Sequence, residues 1–372
     1  MPDIDLEALR GELDALRAST DLDALPRACG PSLAQGVLRQ APADFTVIEH
    51  TGVEPRGAGE HLHVRVRKTG QNTRWLAKEL ARFAAIPYKS VSYAGLKDRH
   101  AVTEQTFSLH LPGQEDPDWS SLSVDGVEVL SATRHDRKLR QGQLSYNRFR
   151  IVVRDCAVAD VSELEARCAV IATHGVPNYF GAQRFGRDVG NIGLVLQQTD
   201  LRRLPREQRS FAISALRSAL FNGYLAARVA DGSWSEALDG DALLSDRPRG
   251  AAEDDESLFV AERLPAGVLW GKSFGGSGGV VRARETEWFA RFPQVCSALE
   301  RAGSKMSRRV LRARLAEFRC EPQAGGLELS FAAGPGVFAT VVLRELFALR
   351  DAALDYESGS SELKSGELGA QA

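Results

Sequence analysis

Apolar residues recur every three to four positions over 4–17, where Leu6, Leu9, Leu13 and Leu16 share one stripe, and this spacing predicts a helix. Downstream the period falls to two. Phe45 and Val47 share a face across 42–49, Leu62, Val64 and Val66 alternate with His63, Arg65 and Arg67, and Phe107, Leu109 and Leu111 repeat the pattern. Each run predicts a strand, the second half-buried with a basic outer face. Between the last two, Asn72 or Thr73 caps a predicted helix that carries Trp75, Leu76, Leu80 and Phe83 inward and is ended by Pro87. A strand over 90–94 then delivers the chain to the turn Gly95-Leu-Lys-Asp98. Further strands are expected over 127–133, 148–153 and 327–331, and helices over 161–173, 211–229 and 343–349. The last stretch, 358–372, is rich in Gly, Ser and Glu and is expected to be disordered.

Strand-rich, helix-rich, strand-rich is the order of an insertion. An α/β domain would use both ends of the chain, and a helical domain would interrupt it. With 372 residues the chain can hold two cores. Its 43% hydrophobic and 26% charged residues are those of a soluble globular protein. No apolar run approaches the roughly 18 residues of a membrane helix, and the acidic start lacks a signal-peptide core. Cys29, Cys156, Cys168, Cys296 and Cys320 are scattered, odd in number and never spaced as C-x-x-C, which argues for reduced thiols in a cytoplasm and against structural zinc.

The net charge is −2, but the charges are segregated. One cluster runs Arg65, Arg67, Lys68, Arg74, Lys78, Arg82, Lys89, Lys97 and Arg99, against Glu79 and Asp98 alone; a second runs Arg134, Arg137, Lys138, Arg140, Arg148, Arg150 and Arg154. A third holds Arg301, Lys305, Arg308, Arg309, Arg312 and Arg314, while acids gather before residue 25 and at 253–256. One such cluster is best read as a solvated face; three in one chain suit a phosphate-gripping surface. Asp98 sits inside the first, between Lys97 and Arg99. An aspartate after a glycine is commonly a turn residue, yet a carboxylate whose charged form is favoured by flanking cations is also suited to act as nucleophile or base.

Phe149 lies among Arg148, Arg150 and Lys138, where an aromatic serves either as core or as a stacking platform for an unpaired base. Asn178-Tyr-Phe-Gly-Ala-Gln-Arg-Phe-Gly186 reads as an elbow between domains whose glycines admit a close partner and whose Arg184 can pair with phosphate. Gly267-Val-Leu-Trp-Gly-Lys-Ser273 is one residue short of a phosphate loop, and no clear strand is predicted before it, so nucleotide binding there is rejected. His61 and His63 would share a strand face but have no third ligand near in sequence. No glycine-rich dinucleotide or methyl-donor loop is present.

Several segments together resemble the tRNA pseudouridine synthase D (TruD) family: Lys68-Thr-Gly-Gln-Asn-Thr-Arg74, Ala94-Gly-Leu-Lys-Asp-Arg-His-Ala-Val-Thr-Glu-Gln105, Arg134-His-Asp-Arg-Lys-Leu-Arg140, Asn178 to Gly186, and Ser330 to Leu346. The resemblance spans roughly 32–350. It implies an α+β pseudouridine synthase fold: a mixed, largely antiparallel sheet with an active-site cleft, interrupted by a mainly helical α/β TRUD domain. The expected division is an accessory helix over 1–30, a catalytic domain from 31–172 and 318–355, an insert over 173–317 and a tail over 356–372. The resemblance implies isomerisation of uridine, at position 13 in the D-arm of tRNA, by a cytoplasmic monomer needing neither cofactor nor metal. Asp98 matches the family's catalytic aspartate and Lys97 its partner. Phe45, Glu49, Asn147, Phe149, Asn178, Phe180, Gln183, Arg184 and Arg344 are expected at the substrate. Arg65, Arg67, Lys68, Arg74, Arg99, Arg137, Lys138 and Arg140 are expected along the RNA backbone. A catalytically idle RNA-binding protein on the same scaffold is the alternative, against which the retained anion argues.

Overall fold

The computed structural model describes residues 4–245, 258–259 and 262–354. The acidic run at 253–256 and the tail from 356 lie outside them. A ten-stranded sheet organises one half of the molecule. Its main path runs Leu315–Gln323, Gly326–Ala333, Tyr146–Arg154, Phe45–His50, Val102–His110, His61–Thr69, Val127–His135. Neighbours are antiparallel except Phe45–His50 beside Val102–His110, which run parallel. Val91–Tyr93 joins Val102–His110, and Ala34–Leu38 joins Tyr146–Arg154. The sheet therefore takes strands from both ends of the chain.

Alternation divides the faces. Phe45 and Val47 are buried beside Phe149 and Ile151 on one face. The helix Thr73–Phe83 covers one end of that face, laying Leu76, Ala77 and Leu80 on Leu62, Val64, Phe107 and Leu109. The helix Val161–His174 covers the other end with Leu164 and Ile171. The middle is left open and becomes the cleft. The opposite face is polar: Arg65 and Arg67 meet Glu104, and Arg148 and Arg150 meet Glu317 and Glu328.

The second half is built around the 25-residue helix Arg206–Ala230, buried along Ala212, Leu216, Ala219, Leu220 and Phe221. The helices Leu6–Arg17, Gly190–Gln197 and Pro293–Arg301 share its core. A three-stranded sheet of Leu243–Ser245, Arg263–Leu269 and Ser307–Val310 packs there as well. Gly175 enters this half at φ 69°, and a Cβ there would stand 2.1 Å from the Ala313 carbonyl oxygen, so glycine is required.

Several expectations change. Asp5 caps the first helix and Leu9, Leu13 and Leu16 are buried, but Leu6 is exposed. Trp75, expected inward, is 39% exposed. The helix expected over 343–349 is replaced by a helix over Ala339–Leu343 and a strand over Phe347–Asp351. That strand pairs in parallel with Ala34–Leu38, a partner more than 300 residues away, and the distant ladder overrides local helix propensity. A strand, Arg263–Leu269, does precede Gly271-Lys-Ser273; the glycine spacing is still one short, and the next helix begins only at Gly279.

Candidate functional site

Asp98 stands at the rim of an open pocket lined by Arg39, Phe45, Val47, Leu96, Lys97, Asn147, Phe149, Gln183 and the Gly336–Thr340 turn. The sheet supplies the floor. Phe149 lies opposite Val47 in register and stacks on Phe331 with centroids 5.1 Å apart. Asn147 Oδ1 is buried with no hydrogen-bond partner, so an acceptor is left for an entering donor.

The loop that carries Asp98 is pinned on both sides. The Gly142 N–H donates to the Ala94 carbonyl at 2.7 Å, and Gln105 Nε2 donates to the Gly95 carbonyl at 2.5 Å. The Lys97 N–H donates to Thr73 Oγ1 at 3.0 Å, and that hydroxyl donates to Gln105 Oε1 at 3.1 Å. Lys68 Nζ donates to the carbonyls of Asp98 (2.9 Å) and Gln71 (2.8 Å). Burial pushes the Lys68 ammonium down to about 8, with the Asp98 charge opposing that shift. A side chain carried on a loop held this way has little reorganisation left to undergo.

The cation facing Asp98 is Arg39, with Nη1 3.7 Å from Asp98 Oδ2. Nothing in the sequence pattern singled Arg39 out. It follows the strand Ala34–Leu38 with φ 55°, a left-handed conformation costly for a residue with a Cβ. Asp351 holds its Nε at 3.0 Å and also pairs with Nη2, while its guanidinium lies 5.4 Å from the Phe45 ring centroid. Strain at a pocket residue, fixed by a strand from the other chain end, is the signature of an imposed position. The only trace of it in the sequence is a lone cation ending a short apolar run.

Lys97, expected to partner Asp98, instead pairs with Glu49: Nζ to Oε2 is 2.7 Å, with side chains 6% and 0% exposed. Glu49 also accepts the Thr106 N–H at 3.1 Å. Glu49 is thereby turned from the substrate to an internal counter-ion. Other expectations need the same correction. Lys68 is fully buried, so it braces the loop and cannot meet phosphate. Arg344 is buried against the carbonyls of Leu25 and Pro26 and beside Glu345, because the segment after the first helix needs its open carbonyls satisfied. Asn178 is buried, donating to the Val310 carbonyl and accepting from Arg309 at 2.5 Å. Phe180 is buried between Phe221, Phe338 and Arg309, whose guanidinium is 4.1 Å from the ring centroid. Arg184 lies over Phe180 and donates to Ser214 Oγ at 3.0 Å; it supports the pocket wall while Gln183 lines it.

The expected phosphate cations also divide. Arg65 and Arg67 are tied to Glu104 and Glu128 on the face away from the pocket. Arg74 pairs with Glu207 across from the second half, at 3.1 Å. In the third cluster, Arg308 is buried with Glu285, and Arg312 and Arg314 meet Glu262. Arg99, Arg137, Lys138 and Arg140 are exposed. They lie on the Asp98 segment and on the loop 136–144, whose Leu139 and Leu144 pack on Ala94.

A family model described as tRNA pseudouridine synthase D (TruD) matches residues 30–201 and 197–346. The chain is similar to the tRNA pseudouridine synthase D of Methylococcus capsulatus, 43% identical over 335 residues covering 87% of this chain and 94% of that one. It is similar to that of Pseudomonas entomophila, 45% identical over 340 residues, covering 89% and 96%. Among solved structures it is similar to a protein of Methanosarcina mazei provisionally assigned as TruD, with a TM-score of 0.65 at 20% identity, covering 87% and 95%. That likeness concerns the fold.

Proposed function

The chain belongs to the tRNA pseudouridine synthase D family and is a tRNA pseudouridine synthase, and from that premise we propose that it isomerises uridine-13 of the tRNA D-arm with Asp98 as the reacting carboxylate. The observation that carries this reading is the pinned, half-exposed Asp98 beside Arg39 at the rim of a pocket floored by Phe149.

The reaction breaks the N1–C1′ bond, turns the detached uracil and joins C5 to C1′, after which the C5 proton leaves. The carboxylate of Asp98 either takes a ribose proton or attacks C1′; addition at C6 is the third route. All three use it as an anion, which the Arg39 guanidinium supports electrostatically. Phe149 offers a flat face on which the free base can turn, and Asn147 offers an amide to its polar edge. The uridine has to leave its stack to arrive there, which costs a few kcal/mol. The exposed Arg99, Arg137, Lys138 and Arg140 supply phosphate contacts toward that cost, so binding should weaken with salt. A tRNA substrate supports a cytoplasmic location. No helix of the described residues is long and apolar enough to cross a membrane.

The test is release of tritium from tRNA carrying 5-tritiated uridine. Asp98→Asn is expected to bind tRNA as wild type does and to release none. Turnover near wild type in that variant rejects Asp98 as the reacting group.

A further inference from the structure

Leu96 is 59% exposed, and among the described residues it is the one large exposed apolar side chain that also lines the pocket. It belongs to no core cluster of the described residues. Its exposure is not that of a slack loop. Ala94 and Gly95 before it and Lys97 and Asp98 after it are each held by a hydrogen bond, to Gly142, Gln105, Thr73 and Lys68 respectively. An apolar prong is thus held out rigidly, two residues from Asp98, on a pocket that Arg39 also lines and next in the chain to the exposed Arg99 segment.

Folding gains little from this placement, since a leucine left 59% exposed hides less than half of its surface. An RNA substrate gives it a use. A uridine drawn out of its stack leaves a slot between two base faces, and apolar side chains enter such slots. We propose that Leu96 is the wedge that occupies the slot vacated by the target uridine, stacking on the neighbouring base and holding the nucleotide everted while Asp98 reacts. This rests on the reading of the protein as a tRNA pseudouridine synthase. It makes Leu96 a positioning residue: it touches the base beside the target and takes no part in bond making.

The experiment uses full-length protein and a tRNA transcript carrying 2-aminopurine next to the target uridine. On protein stalled by Asp98→Asn, binding should raise 2-aminopurine fluorescence; adding Leu96→Ala should abolish the rise. With Asp98 present, Leu96→Ala should slow single-turnover conversion by about tenfold to a hundredfold, since part of the unstacking cost is no longer offset. Affinity for tRNA should be unchanged, and Leu96→Met, which keeps length and apolarity, should recover most of the rate. On a transcript whose neighbouring base has been removed, wild type and Leu96→Ala should convert equally. An active wild type with an unaffected Leu96→Ala variant overturns the wedge alone. So does an equal loss on both transcripts, which would put Leu96 against the everted uracil instead. A wild type that makes no pseudouridine in tRNA removes the proposed function, and the wedge with it.

Discussion

The Glu49–Lys97 pair offers the sharpest test of how the Asp98 loop is held. Glu49→Gln keeps an oxygen for the Thr106 N–H but removes the charge that Lys97 Nζ meets at 2.7 Å. Both side chains are enclosed, so the ammonium is left without its counter-ion where water cannot replace it. Losing one member of a buried pair costs about 3–5 kcal/mol, and the retained amide puts the expected loss near the lower end, about 3 kcal/mol. For 372 residues the unfolding entropy is on the order of 0.8 kcal/mol per kelvin, which converts that loss to a fall of about 4 °C in Tm. Lys97→Met should cost a similar amount by stranding the carboxylate. The double variant Glu49→Gln/Lys97→Met removes both charges, so its loss should be smaller than the sum by about 2 kcal/mol or more. Differential scanning calorimetry of the four proteins measures each corner of the cycle. Additive losses, or a Glu49→Gln protein melting with wild type, would refute an internal pair and return Glu49 to the substrate.

Phe149→Ala should convert tRNA far more slowly at near-normal affinity while losing about 3 kcal/mol of stability in urea titration, because Phe149 serves both Phe331 and the pocket; unchanged turnover would leave it a core role alone. Arg39→Met should lower kcat about a hundredfold in the tritium assay without weakening tRNA binding, since its charge faces Asp98 and not the RNA backbone. Lys68 titrates at about 8 in the folded protein against 10.5 as a free side chain, so the unfolded chain holds the proton more tightly between those values. Stability should therefore rise with pH from about 8 to 10.5, and Lys68→Met should flatten that rise in urea titrations run across the window. Alanine at Lys138 or Arg140 should each reduce the salt slope of tRNA binding by about one, whereas alanine at Arg65 or Arg67, already paired with Glu104, should leave it unchanged.

The elements nearest Asp98 were legible because their periods are local. Leu62, Val64 and Val66 mark a strand, Asn72 caps the helix that covers it, and Gly95 to Asp98 is a turn whatever surrounds it. The strand Phe347–Asp351 was illegible because its residues also suit a helix, and only the parallel partner Ala34–Leu38 decides between them. Charge misled for a related reason. Basic clusters in sequence look alike, yet Arg99 and Lys138 face solvent, Lys68 is enclosed beneath the loop and Arg344 closes carbonyls of residues 25 and 26.

What the chain determines unaided is therefore the alternation that makes the sheet, the turn that presents Asp98 and the family to which both belong. Tertiary structure alone decided which cation meets that carboxylate. Arg39 and Asp98 are brought within 3.7 Å by two separate strands, and Asp351 from the far end of the chain fixes the geometry. Pairing of this kind is set by three-dimensional distance, which spacing along the chain does not reveal, and burial then sorts otherwise identical charges into braces and contacts.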